Sequence, residues 1–242
     1  VLQQYGLFMV LALVSEIIGT ISGFGSSILF VPVASMFFDF KAVLGITAVF
    51  HVFSNLSKIA LFRKGIDKKV GYTLGIPAVV FVIAGALLTT LIDTKKIELM
   101  MNILLLGLSV YLLLNFNKQI KQTRSNLVIG GGVSGFLAGL TGTGGAIRGL
   151  TLSAFHLPKD TFIATSAFID LGVDLSRSVV YVSNNYLPAN FRLMIPFLIV
   201  ISIVGSYLGK QILRFASEQA FRYLVLLVVL GTAAFQMVKY FS

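Results

Sequence analysis

Long apolar runs separated by short polar loops make up most of the chain, and their lengths decide what they are. Blocks at about 42–62, 70–92, 97–116, 161–184, 193–213 and 219–238 each hold roughly the 20 apolar residues that a membrane-spanning helix needs. Two further stretches, 5–38 and 126–157, are apolar but too long for one crossing, and each is interrupted in its middle. The interruptions run from Ser22 through Gly23, Gly25 and Ser26 to Ser27, and from Thr141 through Gly142, Thr143 and Gly144 to Gly145. Glycine costs roughly 1 kcal/mol in a helix interior, so each stretch is expected to be two helical arms joined by unwound backbone. Inside a bilayer such a break persists only where protein or a water-filled cavity satisfies its amides. The pattern leaves open whether these hairpins are re-entrant or fully spanning.

Sliding the chain against itself reveals a duplication. At a shift of 119 residues Gly23 falls on Gly142, Gly25 on Gly144, Ala48 on Ala167, Ser57 on Ser176 and Pro77 on Pro196. The matches fall on both glycine breaks and on a helix proline, and the same shift aligns the apolar blocks, which marks a true repeat. The expected fold is an all-α integral membrane protein in one transport domain, residues 1–242, with repeat one at 1–119 and repeat two at 120–242.

Charge adds orientation. The loop 63–69 holds four basic residues, 117–124 holds three and the stretch 210–222 another three, whereas 39–41, 93–98 and 184–191 carry no net charge. Placing the basic loops in the cytoplasm puts eleven Lys/Arg inside and five outside, with Lys58, Arg148 and Arg177 left within the membrane. That arrangement requires each broken stretch to return to its own side. Each repeat is then a broken-helix hairpin plus three transmembrane helices, an odd number of crossings, so the two repeats must be inverted. Both termini are expected outside the cytoplasm, in a multi-pass protein of the cell (inner) membrane. No removable signal peptide is visible, and residues upstream of Val1 are expected.

Composition removes other classes. Hydrophobic residues make up 57% of the 242 and charged residues 12%, with mean hydropathy +0.94. A soluble domain carries about 25% charged residues, so this chain cannot cover itself with a polar surface. The net charge of +10 reads as membrane orientation and not as a nucleic-acid face. With no cysteine and two histidines, His51 and His156, neither a thiolate metal site nor a cofactor is expected. The 21 Phe read as lipid-facing filler, and the eight Tyr as the interfacial belt. A homo-oligomer stays open.

Candidate chemistry gathers at the breaks. A new helix is expected to start at about Ser26 and again at Gly145, and its first amides lack intrahelical partners and carry the positive end of the dipole. Two such ends facing each other would cradle a small oxyanion, with hydroxyls from Ser22, Ser26, Ser27, Thr141 and Thr143. Packing of small residues is the competing reading of the glycines. On the next helix of each half, His51, Asn55 and Lys58 share one face, and the 119-residue shift carries them onto Asp170, Asp174 and Arg177. Buried charges serve either a substrate path or structural pairing. Asp174 and Arg177 are spaced to neutralise each other, and Lys58 is near enough to its helix end to snorkel. Arg148, in the first turn after the second break, offers a forked donor suited to an oxyanion. Because a cation there opposes the dipole, it is expected to face something negative: substrate, Asp170, Asp174 or Glu16. Three basic and three acidic intramembrane residues make the site neutral, so anion binding is expected to need protonation of a carboxylate. Gly25-Ser26 beside His51 offers the nucleophile and base of a serine hydrolase, but no third orienting group stands out, and no enzyme is expected.

The breaks carry a resemblance to a known family. Residues Gly135 to Gly149, GFLAGLTGTGGAIRG, followed by Leu157-Pro158-Lys159, together with the first-half break, resemble the TauE/SafE sulfite exporters, also called toluene-sulfonate uptake permeases. The likeness covers nearly the whole chain. The first half departs from the pattern, with Ser26 and Ser27 where the family usually has glycines. The resemblance implies a permease, often an exporter, for sulfite, sulfonates or related small oxyanions. An uncoupled anion channel is the alternative, and neither the anion nor the direction follows from the residues.

Overall fold

In the computed structural model, residues 2–63, 65–114, 121, 123–153, 155, 157–213, 215, 234 and 238 are described. Residues 115–120, His156 and all of the expected block at 219–238 except 234 and 238 lie outside them. Nine α-helices and one 3-10 turn are seen among the described residues. The first half comprises α1 (Leu2–Ser22), α2 (Ser27–Ala34), α3 (Phe40–Phe62), α4 (Lys68–Leu88) and α5 (Thr94–Leu114). The second comprises α6 (Arg124–Thr141), α7 (Gly145–Ser153), α8 (Lys159–Ser183) and α9 (Ile195–Leu213), the last entered through the 3-10 turn Ala189–Met194.

Helix starts follow from local chemistry. Asp39, Asp67 and Thr123 each cap a helix by accepting the amide three residues on, from Ala42, Val70 and Asn126 at 3.1, 3.0 and 3.2 Å. Pro158 precedes α8, and Asp160 lies in its first turn, where a negative charge suits the dipole. The two broken stretches come out unequal. A long first arm of 21 or 18 residues is followed by a second of 8 or 9.

Four described helices are long and apolar enough to cross a membrane, over Tyr5–Ser22, Phe40–Phe62, Lys68–Leu88 and Ile195–Leu213. At 25 residues α8 is longer than these spans, but it carries Asp170, Asp174 and Arg177 in its interior. Polarity runs inside out relative to a soluble protein. Outward stripes such as Tyr72, Ile76 and Val80 on α4 and Leu175, Val179 and Val182 on α8 are exposed, while Glu16, Lys58, Arg148, Asp174 and Arg177 are buried. Apolar faces that broad require lipid around them.

Packing is closest where glycines let backbones touch. Gly131, Gly135 and Gly139, one face of α6, lie against the carbonyls of Leu74, Ala78 and Val82 on α4, a small-residue seam typical of membrane helices. Helix α1 packs on α9, α3 on α8 and on α9, and α4 also on α8. Among the described residues the phenylalanines are not chiefly lipid-facing. Phe8, Phe30, Phe50, Phe62 and Phe191 are buried, and Phe8 meets Phe30, Phe37, Phe38 and Phe191 ring to ring. Phe8, Phe30, Phe50 and Phe191 share one cluster with the residues of the short arm α2, whereas Phe62 packs apart with Ile163 and Ala164. Tyr181 is likewise interior, its hydroxyl donating to the Gly139 carbonyl.

Candidate functional site

The two breaks meet. Gly23, Gly25 and Gly142 adopt left-handed backbone, with φ of +67°, +84° and +80°, a region that glycine enters without steric cost. The Phe24 carbonyl lies directly against the Cα of Gly145, and a side chain at Gly25 would enter the Arg148–Asp170 pair. Gly144 instead backs onto the Ser134 carbonyl of α6, so that glycine serves packing as well as the turn. The first amides of α2, after Ser26, and of α7, from Gly145, therefore begin on either side of one small space.

That space is walled by Gly25, Ser26, Ser27, His51, Asn55 and Lys58 from the first half, and by Gly142, Gly144, Gly145, Arg148, Asp170, Asp174 and Arg177 from the second. Ala138 and Val173 complete the lining. Its free volume is about 10 Å³, room for roughly one water molecule. Ser22, Gly23, Thr141 and Thr143 stand behind this wall. Ser22 Oγ donates to the Gly19 carbonyl at 3.2 Å, and Thr141 Oγ1 to Leu137 at 2.8 Å, so both hydroxyls close helix ends.

Each interior cation holds one carboxylate. Lys58 Nζ is 2.9 Å from Glu16 Oε1 and donates to Ser54 Oγ at 2.8 Å. At 4% exposure it does not snorkel, because the acid that neutralises it lies inside the bundle on α1. Arg148 Nη1 pairs with Asp170 Oδ1, and its Nε donates to Ser166 Oγ at 3.3 Å. Ser166 in turn donates to the Gly23 carbonyl at 3.2 Å, tying the Arg148 fork to the first break. Arg177 meets Asp174 Oδ1 through Nη2 at 2.6 Å and Nε at 2.7 Å. Its Nη1 donates to the carbonyls of Ala138 and Gly142 at 3.0 and 2.7 Å, where a cation suits the C-terminal end of α6. Asp174 Oδ2 accepts from Asn55 Nδ2 at 2.7 Å.

Glu16 accepts more hydrogen bonds than any other acid among the described residues. Its Oε1 also accepts from Ser54 at 2.7 Å, Ser206 at 2.8 Å and Thr20 at 3.3 Å, and its Oε2 from Ser26 at 2.7 Å. His51 Nδ1 faces the Thr47 carbonyl and Nε2 faces Ser26 Oγ, both at 2.8 Å. Ser26 and His51 thus do meet, but the imidazole is oriented by a backbone carbonyl and the hydroxyl also holds Glu16, an arrangement unlike a nucleophile's.

Ser54, Ser166 and Ser206 are partners that the sequence did not bring forward. A signal existed for Ser166, whose counterpart at the 119-residue shift is Thr47, polar at both places. Ser206 is one of two serines, with Ser202, in an apolar helix; its counterpart is Leu87, and nothing local distinguishes it.

The chain matches the family described as sulfite exporter TauE/SafE over residues 7–236. It belongs to that family. Its members are membrane transporters and not enzymes, and this chain is accordingly a multi-pass membrane protein. It is 26% identical over 224 residues to a protein of Methanocaldococcus jannaschii described as a probable membrane transporter, covering 84% of this chain and 83% of that one. No solved structure matches the chain.

Proposed function

We propose that this TauE/SafE protein is a proton-coupled secondary transporter of small oxyanions such as sulfite or an organosulfonate, binding them near the midplane between the two glycine breaks. The observation that carries this reading is convergence. Two helix N-termini and three cationic side chains, drawn from both halves, border one buried space. Helix N-termini and forked Arg donors are the groups that recognise small oxyanions. Since each cation already holds a carboxylate, an arriving anion must displace an acid or be accompanied by a proton. The family's description names sulfite.

Inverted repeats give this site a way to face either side in turn. In support, α3 starts at Phe40 and α8 at Lys159, a spacing of 119 residues. Exchanging α1 with α6, α3 with α8 and α4 with α9 turns the α1–α9 contact into α6–α4, and α3–α9 into α8–α4. Asn55 and Asp174, repeat counterparts, bond each other across 119 residues, as groups beside a twofold axis would. The small volume fits a closed state from which the breaks must part to admit an anion of several atoms.

Purified protein in proteoliposomes is expected to accumulate labelled sulfite or methanesulfonate when a proton gradient is imposed. Flux that ignores the proton gradient while following the membrane potential would return the protein to an anion channel. Orientation is tested separately in the Cys-free sequence. A single cysteine at Ile66 should stay unlabelled by an impermeant maleimide added outside intact cells, since both termini are placed outside and the 63–69 loop in the cytoplasm. External labelling at 66 would defeat that topology.

A further inference from the structure

The hydroxyl of Ser26 sits between two groups that both require a proton from it. A carbonyl only accepts, so the 2.8 Å contact from His51 Nδ1 to Thr47 O places a proton on Nδ1. A neutral imidazole then presents a bare Nε2 to Ser26 Oγ, 2.8 Å away. An ionised Glu16 presents a bare Oε2 to the same oxygen at 2.7 Å. A hydroxyl has one proton to give, so with Glu16 charged and His51 neutral one of these two short contacts sets lone pair against lone pair. All three residues are buried, at 0%, 0% and 4% exposure for Glu16, Ser26 and His51, and leaving a buried contact unmet is costly.

The geometry points to Glu16, Ser26 and His51 as one proton-binding site, which holds a proton beyond those of an ionised acid and a neutral imidazole. The extra proton has two placements. On Glu16 Oε2 it donates to Ser26, and Ser26 donates to a neutral His51. On His51 Nε2 it donates to Ser26, and Ser26 donates to an ionised Glu16. Passage between them is balanced: Glu16 yields its proton to Ser26 Oγ as the proton of Ser26 moves to His51 Nε2. Either placement satisfies every contact in the chain.

The surroundings set what that proton does. From α3, Lys58 holds Glu16 Oε1 through an ion pair and Ser54 adds a neutral donor. From α9 Ser206 donates to the same oxygen, and Lys210 is engaged by the Leu61 carbonyl. Arg177 of α8 and Arg148 of α7 also act on His51, but each is held by its own carboxylate, Asp174 and Asp170. Counted with Lys58, the loaded site therefore carries one positive charge in excess, beside the first break. This deepens the oxyanion reading and rests on it for the link to transport: proton and anion stabilise each other's binding and cross together.

Solid-state or solution ¹⁵N NMR of histidine-labelled protein in lipid nanodiscs tests the site without any anion, with His51 assigned by a His156→Gln variant. The wild-type His51 signal should keep Nδ1 protonated and shift at Nε2 as pH is changed. In Glu16→Gln the amide donates to Ser26 in place of the extra proton, so His51 should remain neutral and stop responding to pH. Ser26→Ala should separate the pair, leaving His51 unaffected by Glu16→Gln. Methanesulfonate flux, with a substrate whose charge does not change near neutrality, should vary in the wild type by up to about tenfold per pH unit, the limit for one proton, and be flat in Glu16→Gln. An Nε2–H tautomer, or a His51 signal with the same pH response in wild type and Glu16→Gln, would overturn the proposal. Flux without pH dependence would also overturn it while sparing the oxyanion reading. A proton site present by NMR in a protein that moves neither methanesulfonate nor sulfite would spare the proposal and remove that reading.

Discussion

Replacing Arg177 by Gln is expected to produce a protein that inserts poorly and loses its monodisperse state well below the temperature the parent survives. The change strands Asp174 and removes the donors to Ala138 O and Gly142 O that close the end of α6. Breaking one partner of a buried pair costs about 3–5 kcal/mol, whereas removing both often costs little. Arg177→Gln with Asp174→Asn should therefore regain much of the lost stability, though not all, because the two carbonyls stay underserved. Size-exclusion profiles after graded heating would show it. A single variant as heat-resistant as the parent would mean that Arg177 is not what holds the second break.

Arg148→Lys is the second large effect, expected in binding and not in folding. Lysine can still reach for Asp170 but cannot also engage Ser166, which bridges to Gly23 O, nor present a planar fork to an oxyanion. Hydrogen bonds to charged groups are worth about 1.5–3 kcal/mol, so the apparent KM for sulfite flux should rise tenfold or more. Arg148→Gln with Asp170→Asn removes the buried pair together and should fold, yet stay inactive. Recovery of flux in that double variant would make Arg148 a structural residue, neutralising Asp170 and no more.

The two arginines show how far the linear pattern reaches. Asp174 and Arg177 are three residues apart on one helix, so their pairing is legible from helical spacing alone. Arg148 had three acids within plausible reach, and only the approach of α7 to α8 selects Asp170. Lys58 differs again. Its place near a helix end makes snorkelling reasonable, and what overrides it is Glu16, delivered by α1 and supported by Ser206 from α9.

Membrane residence, the two breaks and nearly all the residues bordering the central space were determined by the sequence itself. These depend on hydropathy, helix propensity and periodicity, which act over a few neighbouring residues and survive in one dimension. The same shift that aligned the glycines also found Asn55 and Asp174, which turned out to bond each other. Tertiary structure alone decided which acid meets Lys58 and which meets Arg148, that the glycines of α6 seam it to α4 while Gly25 leaves room for Arg148, and that Phe8, Phe30 and Phe50 fill the interior. It also decided that Ser26 stands between Glu16 and His51. The physical reason is range. Hydrogen bonds and ion pairs in a low-dielectric interior are settled by tenths of an ångström between helices that are far apart in the chain, and no local pattern of side chains encodes that distance.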